Sequence, residues 1–167
     1  MRSMRLVGLI VVAAAWMGLE PSRAEAATAW SANGASCVPV VAATGVQVAA
    51  GAVTAGAGMT VTLYCAITRT DLVGAFRSIE ITYKGRVAAN VATTSELIEM
   101  SKATGVETVR CGVRSKGSVG ITSQHNLCEN SSNLDFNNDF YYVRIVLKSG
   151  IIAGQLQTIY GTSLTTD

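Results

Sequence analysis

His125 is the one side chain in the sequence suited to exchanging a proton near neutral pH. Nucleophilic catalysis would have to pair it with a Ser, Thr or Cys, and the run Ser123-Gln124-His125-Asn126 carries no nucleophile motif. No G-x-S-x-G, phosphate loop or dinucleotide fingerprint occurs. Glu96 and Glu99 offer two carboxylates of the kind glycoside hydrolysis uses, but neither stands in an apolar pocket pattern, and a solvated face is the plainer reading. Asp135, Asn137 and Asp139 place oxygen donors at alternate positions, the opening of a calcium loop. Phe140 then stands where the sharp-turn glycine belongs and Val146 where the bidentate Glu belongs, so a polar loop is the better description and the three remain weak metal candidates. The expectation is a non-enzymatic protein without a cofactor.

Cys37, Cys65, Cys111 and Cys128 are the remaining reactive side chains. No C-x-x-C pair accompanies them and there is a single His, which argues against a closed zinc site. An even count in an exported chain reads as two disulfides. Three pairings are open; Cys37–Cys65 and Cys111–Cys128 are favoured because each couples segments expected to be neighbouring strands. Each would contribute roughly 3 kcal/mol in the chain-entropy account.

Export follows from the first residues. Arg2 and Arg5 precede an uncharged apolar run from Leu6 to Met17, and Ala24-Glu25-Ala26 sets small residues where a signal peptidase reads. The run is too short for the roughly 20 residues of a membrane span. Residues 1–26 are therefore expected to be a cleaved signal peptide and 27–167 a single domain, secreted or periplasmic, with no transmembrane anchor after cleavage. Removing the leader takes three of 13 basic and two of 11 acidic residues, so the net charge falls from +2 to +1. The basic residues that remain are scattered, which excludes the footprint of a nucleic-acid binder.

The elements that must position these residues read as strands. Met59 to Thr68 alternates Val61, Leu63, Cys65 and Ile67 against Thr60, Thr62, Tyr64, Ala66 and Thr68. Phe76 to Lys84 sets Ile79, Ile81 and Tyr83 against Ser78, Glu80 and Thr82. Phe140 to Lys148 sets Tyr141, Val143, Ile145 and Leu147 against Tyr142, Arg144, Val146 and Lys148. Weaker strands are expected at 37–41, 46–50, 96–101, 106–113, 119–122 and 155–160, although 95–100 also suits a helical turn. Ala103-Thr104-Gly105 reads as a hairpin turn, with Ser115-Lys116-Gly117-Ser118 and Ser149-Gly150 as further tight connections. Ala42 to Gly58 reads as a weak edge strand with a loose loop, and Asn126 to Asp139 as a long polar loop. The fold class is all-β: a single β-sandwich, immunoglobulin-like or jelly-roll-like, of about seven to nine strands.

The pattern Ala35-Ser36-Cys37-Val38-Pro39, followed by Val61-Thr62-Leu63-Tyr64-Cys65, resembles small exported bacterial β-sandwich proteins of unassigned function. Ser101-Lys102-Ala103-Thr104-Gly105 and Phe140-Tyr141-Tyr142-Val143-Arg144-Ile145 are similar to their other shared parts. The resemblance implies a Cys37–Cys65 disulfide and a β-sandwich, and carries no activity; Cys111 and Cys128 are an addition to it. These readings together give an exported structural or binding module of unknown ligand, with a cell-envelope or protein partner. The alternative is a pilin-like or coat-type subunit that donates Thr28 to Ser36 to a neighbour's sheet. A hydrolase built on His125 or the acidic pair is the remaining class.

Overall fold

The computed structural model describes residues 27–40, 45–72, 75–86, 88, 90–129, 134–152 and 155–166. The expected signal peptide lies outside the described residues. Those described form eleven strands: β1 (Thr28–Asn33), β2 (Val38–Pro39), β3 (Val46–Ala49), β4 (Ala52–Ala55), β5 (Thr60–Ile67), β6 (Ser78–Gly85), β7 (Ala92–Ser101), β8 (Glu107–Arg114), β9 (Ser118–Leu127), β10 (Asp139–Lys148) and β11 (Thr158–Thr165). Two sheets face each other as a sandwich. One runs β3-β4-β11-β6-β9, with β1 sharing the β4 side of β11; the other runs β2-β5-β10-β7-β8. All pairings are antiparallel, and most connections cross from one sheet to the other.

Alternation sets the layers. Leu63 and Cys65 of β5, Ile79 and Ile81 of β6, Val143 and Ile145 of β10 and Ile159 and Leu164 of β11 meet in one core. Polar side chains also enter it from β7 and β11. Ser95 and Thr162 share a hydrogen bond of 3.1 Å between the sheets, and Thr93 donates to Gln157 Oε1 at 3.2 Å. Among the described residues no buried polar side-chain atom lacks a partner, so the seam avoids the cost of stranded polar groups.

Several expectations change here. There are eleven strands and not seven to nine, because β1 and β4, which carry little apolar–polar alternation, pair as well. The stretch expected to hold a loose loop contains the β3–β4 hairpin. Its two-residue turn sets Ala50 at φ 50° and Gly51 at φ 79°, the left-handed pair whose twist matches the flanking strands. Thr28–Asn33 is strand β1, paired within the chain to β11. Residues 95–100 belong to β7 and form no helical turn.

Strand β9 reverses the usual layering. Thr122, Gln124 and Asn126 lie opposite Tyr83, Ile81 and Ile79 on the inward side, while Val119, Ile121 and Leu127 are exposed. The inward polar groups are bonded: Gln124 Oε1 accepts from the Lys116 amide at 3.0 Å and Asn126 Nδ2 donates to the Gly112 carbonyl at 2.7 Å. The expected polar loop is correspondingly shorter, since Asn126 and Leu127 close β9 and Asp139 opens β10; residues 130–133 lie outside the described residues.

Cys37 is bonded to Cys65 and Cys111 to Cys128, with Cα separations of 4.4 and 5.1 Å. The first bridge ties the residue before β2 to Cys65 of β5, the strand that β2 pairs with, just after the chain changes sheet. The second departs from expectation in one respect. Cys111 sits on β8 and Cys128 directly follows β9, terminal strands of opposite sheets, so this bridge joins the two layers and not two neighbours in a ladder.

Candidate ligand-binding face

The residues with chemistry in the sequence are dispersed by the fold. His125 lies exposed on the outer face of β9 beside Glu80 of β6. The nearby Ser123 hydroxyl is bonded to Thr82 at 2.8 Å and not to the imidazole. Glu96 and Glu99 are three residues apart on one strand and therefore on opposite sides of the sheet. Glu96 pairs with Arg144 on the outer face; Glu99 accepts from the Tyr141 hydroxyl at 2.9 Å and pairs with Arg110 at 3.2 Å. Asp135 organises a turn: its carboxylate accepts from the Asn137 amide (2.9 Å) and the Asn138 side chain (2.7 Å). Those bonds, the Asn138 side chain first, hold its pKa below the ordinary carboxylate range. Asn137 Oδ1 accepts from Arg69 at 2.9 Å, and Asp139 opens β10. Among the described residues no group of three His, Cys, Asp or Glu side chains is placed to hold a metal ion, and no helix is long and apolar enough to cross a membrane.

The side chains that do converge are on the outer face of the five-stranded sheet. Antiparallel register aligns them in rows across the strands. One row is Tyr64, Arg144, Glu96 and Gly112; the next is Ala66, Tyr142, Ile98 and Val109; a third is Thr62, Val146, Thr94 and Arg114. Tyr64 and Tyr142 meet edge to face with ring centroids 5.1 Å apart, an arrangement aromatic quadrupoles favour. Arg144 Nε and Nη2 both donate to Glu96 Oε2, at 3.1 and 2.8 Å, and Nη1 donates to Glu107 Oε2 at 3.1 Å. The Tyr142 hydroxyl donates to the other oxygen of Glu107. Tyr142, Glu107, Arg144 and Glu96 are thus one chain of charge-assisted hydrogen bonds across three strands.

The network fixes protonation as well as position. Burial, and then the bond to Glu107, raise the Tyr142 pKa well above the usual phenol value, so the hydroxyl stays a donor. The bonds Arg144 donates to Glu96 raise its pKa. Gly112 leaves the space Glu96 needs, since a Cβ there would come within 3.1 Å of Glu96 Cγ and 3.2 Å of the Ser95 carbonyl.

Two hollows meet at Tyr64. The larger, about 1070 Å³, runs from β1 over the Cys37–Cys65 bridge to Tyr142, with Trp30, Ser36, Val38, Asp71, Met100 and Glu107 along it. The smaller, about 480 Å³, continues to Thr62, Asn90, Arg114, Arg144 and Lys148. Together they make a groove across the strands, lined by aromatic rings, hydroxyls and planar charged groups. Such a surface can stack on a ring or chain of C–H groups while its guanidinium and carboxylates bond hydroxyls. Alternation alone puts Tyr64, Tyr142 and Arg144 on the polar side of their strands and does not bring them together. The signal available was two neighbouring strands each spending an outward position on tyrosine.

No protein-family model matches the chain, and no curated protein matches it. Among solved structures it is similar to a family two carbohydrate esterase from Cellvibrio japonicus, with TM-score 0.45 and 10% identity over 85% of this chain and 34% of that one. It is also similar to a low-affinity xylan-binding module from Roseburia intestinalis (TM-score 0.44, 9% identity, 80% of this chain and 92% of that one). A further xylan-binding module gives TM-score 0.42 and 14% identity over 78% of this chain and 95% of that one. The chain spans 34% of the esterase's length.

Proposed function

We propose that the protein is an exported, non-catalytic binding module whose five-stranded sheet takes an extended, hydroxyl-rich ligand, an oligosaccharide, across its outer face. The observation that carries this reading is the groove through Tyr64, with the Tyr142–Glu107–Arg144–Glu96 network laid along it. Its polar groups are already oriented by one another, so little side-chain freedom is lost on binding. The two disulfides suit an oxidising compartment, where such ligands are met, and secretion or residence in the periplasm fits equally. The non-catalytic part of the reading is supported by the dispersal of His125, Glu96 and Glu99.

Calorimetric titration of the mature chain against a panel of oligosaccharides of four to six units tests it. At least one should bind with micromolar to millimolar affinity, without being cleaved or deacylated during overnight incubation. Tyr64→Ala should weaken that binding at least tenfold while leaving the thermal midpoint of the fold within a few degrees. Absence of binding across the panel, or binding indifferent to Tyr64→Ala, would rule the site out.

A further inference from the structure

We infer that the ligand carries a carboxylate, and that it lies in one direction along the groove with this charge over Arg114 and Lys148. The inference rests on the binding reading above and concerns the charge of the ligand, which that reading leaves open. The two hollows that meet at Tyr64 are oppositely charged. The larger has Asp71 and Glu107 on its lining and no basic residue; Glu107 is paired with Arg144, which leaves Asp71 as its unpaired negative charge. The smaller has Arg114, Arg144 and Lys148 against Glu96 alone, a formal charge of +2.

The cations of the smaller hollow are not equivalent. Arg144 is held by Glu96 and Glu107, so its charge is already answered within the protein. Arg114 and Lys148 are exposed, and their side chains enter no salt bridge or hydrogen bond among the described residues. Register places them on the same outer face, from strands on either side of β7: Arg114 lies opposite Thr94, and Lys148 opposite Ala92, two residues along. Two long, unneutralised cations therefore flank one end of a groove whose far end is acidic. A neutral chain would leave both unused. A chain bearing a carboxylate gains a planar partner for the Arg114 fork and a point charge for Lys148, and the acidic far end disfavours the reversed orientation. Inorganic phosphate or sulfate offers the same charge without the chain, and is the competing source of the same chemistry.

Matched pairs of oligomers separate these. Galacturonate, mannuronate and glucuronate tetramers are titrated beside their methyl esters, which keep the chain and remove the charge. One acid should bind at least tenfold more tightly than its ester at low ionic strength, with the difference shrinking as salt is raised through the screening range. Arg114→Gln with Lys148→Gln should abolish that difference, whereas Tyr64→Ala should weaken acid and ester alike and leave their ratio standing. An acid and ester that bind equally, or an advantage that survives the double variant, overturns the carboxylate and leaves the binding face standing. Phosphate binding that depends on Arg114 and Lys148 without any preference for the acid oligomers also overturns it. Failure of every acid and every ester to bind overturns the carboxylate, and failure of the neutral oligosaccharides as well overturns both readings together.

Discussion

The preorganisation of the proposed binding face can be measured without any ligand, through the pair Arg144 and Glu96. They stand directly opposite on β10 and β7, and two guanidinium N–H groups converge on a single carboxylate oxygen at 2.8 and 3.1 Å. The two side chains are 27% and 34% exposed, so the pair is sheltered but not buried. Exposed ion pairs contribute about 0.2–1 kcal/mol, and partial shelter with two charge-assisted bonds puts this one near the top of that range, at about 1 kcal/mol. The perturbation is a double-mutant cycle: Arg144→Met, Glu96→Gln and both together, each unfolded in urea at pH 7. Arg144→Met alone should cost more than the coupling energy, because Glu96 and Glu107 are then left facing each other without the cation between them. Glu96→Gln should cost less, since Arg144 keeps Glu107. A coupling energy below about 0.3 kcal/mol would mean that the guanidinium is not held in place, and the argument that the face loses little freedom on binding would fail with it.

Two further outcomes follow from other parts of the molecule. Ala50 is the one described non-glycine residue at positive φ, and Ala50→Asn, which gives the turn its preferred Asn-Gly pair, should stabilise the fold by about 0.5–1 kcal/mol and raise the melting midpoint by a few degrees in calorimetry. Tyr141, which donates to Glu99, has its pKa pushed up to about 12, chiefly by burial. A folded-state pKa above the unfolded value of about 10 means that the neutral phenol supports the fold fully below pH 10 and that this support is lost as pH rises toward 12. Urea midpoints should accordingly fall between pH 10 and 12 in the parent, and fall less steeply in Tyr141→Phe.

Most of the sandwich was legible wherever strands alternate apolar with polar residues, as β5, β6 and β10 do. The rest was hidden for identifiable reasons. β7 sends Thr93 and Ser95 into the core beside Leu97, where Gln157 and Thr162 satisfy their hydroxyls, so its inward face does not look apolar. β9 turns Gln124 and Asn126 inward and leaves Val119 and Ile121 outside, which defeats any assignment of faces from hydropathy. β4 is built of small residues whose pairing is decided by its neighbours. The candidate site was harder still. Its parts come from four strands far apart in sequence, and only the register of β5, β10, β7 and β8 brings Tyr64, Arg144 and Glu96 into one row.

The bridge between Cys111 and Cys128 has a consequence for how the chain withstands proteolysis. It spans the whole passage from β8 across to β9, a sequence separation of 17 residues that includes the exposed crossing at Lys116. A protease that cuts once anywhere within that passage produces two fragments that are still one covalent molecule. The terminal strands of both sheets stay anchored to the same point, and the opposite side of the sandwich, where the groove begins, is not involved. Nicked protein should therefore run as intact material until a reductant is added, and only then separate.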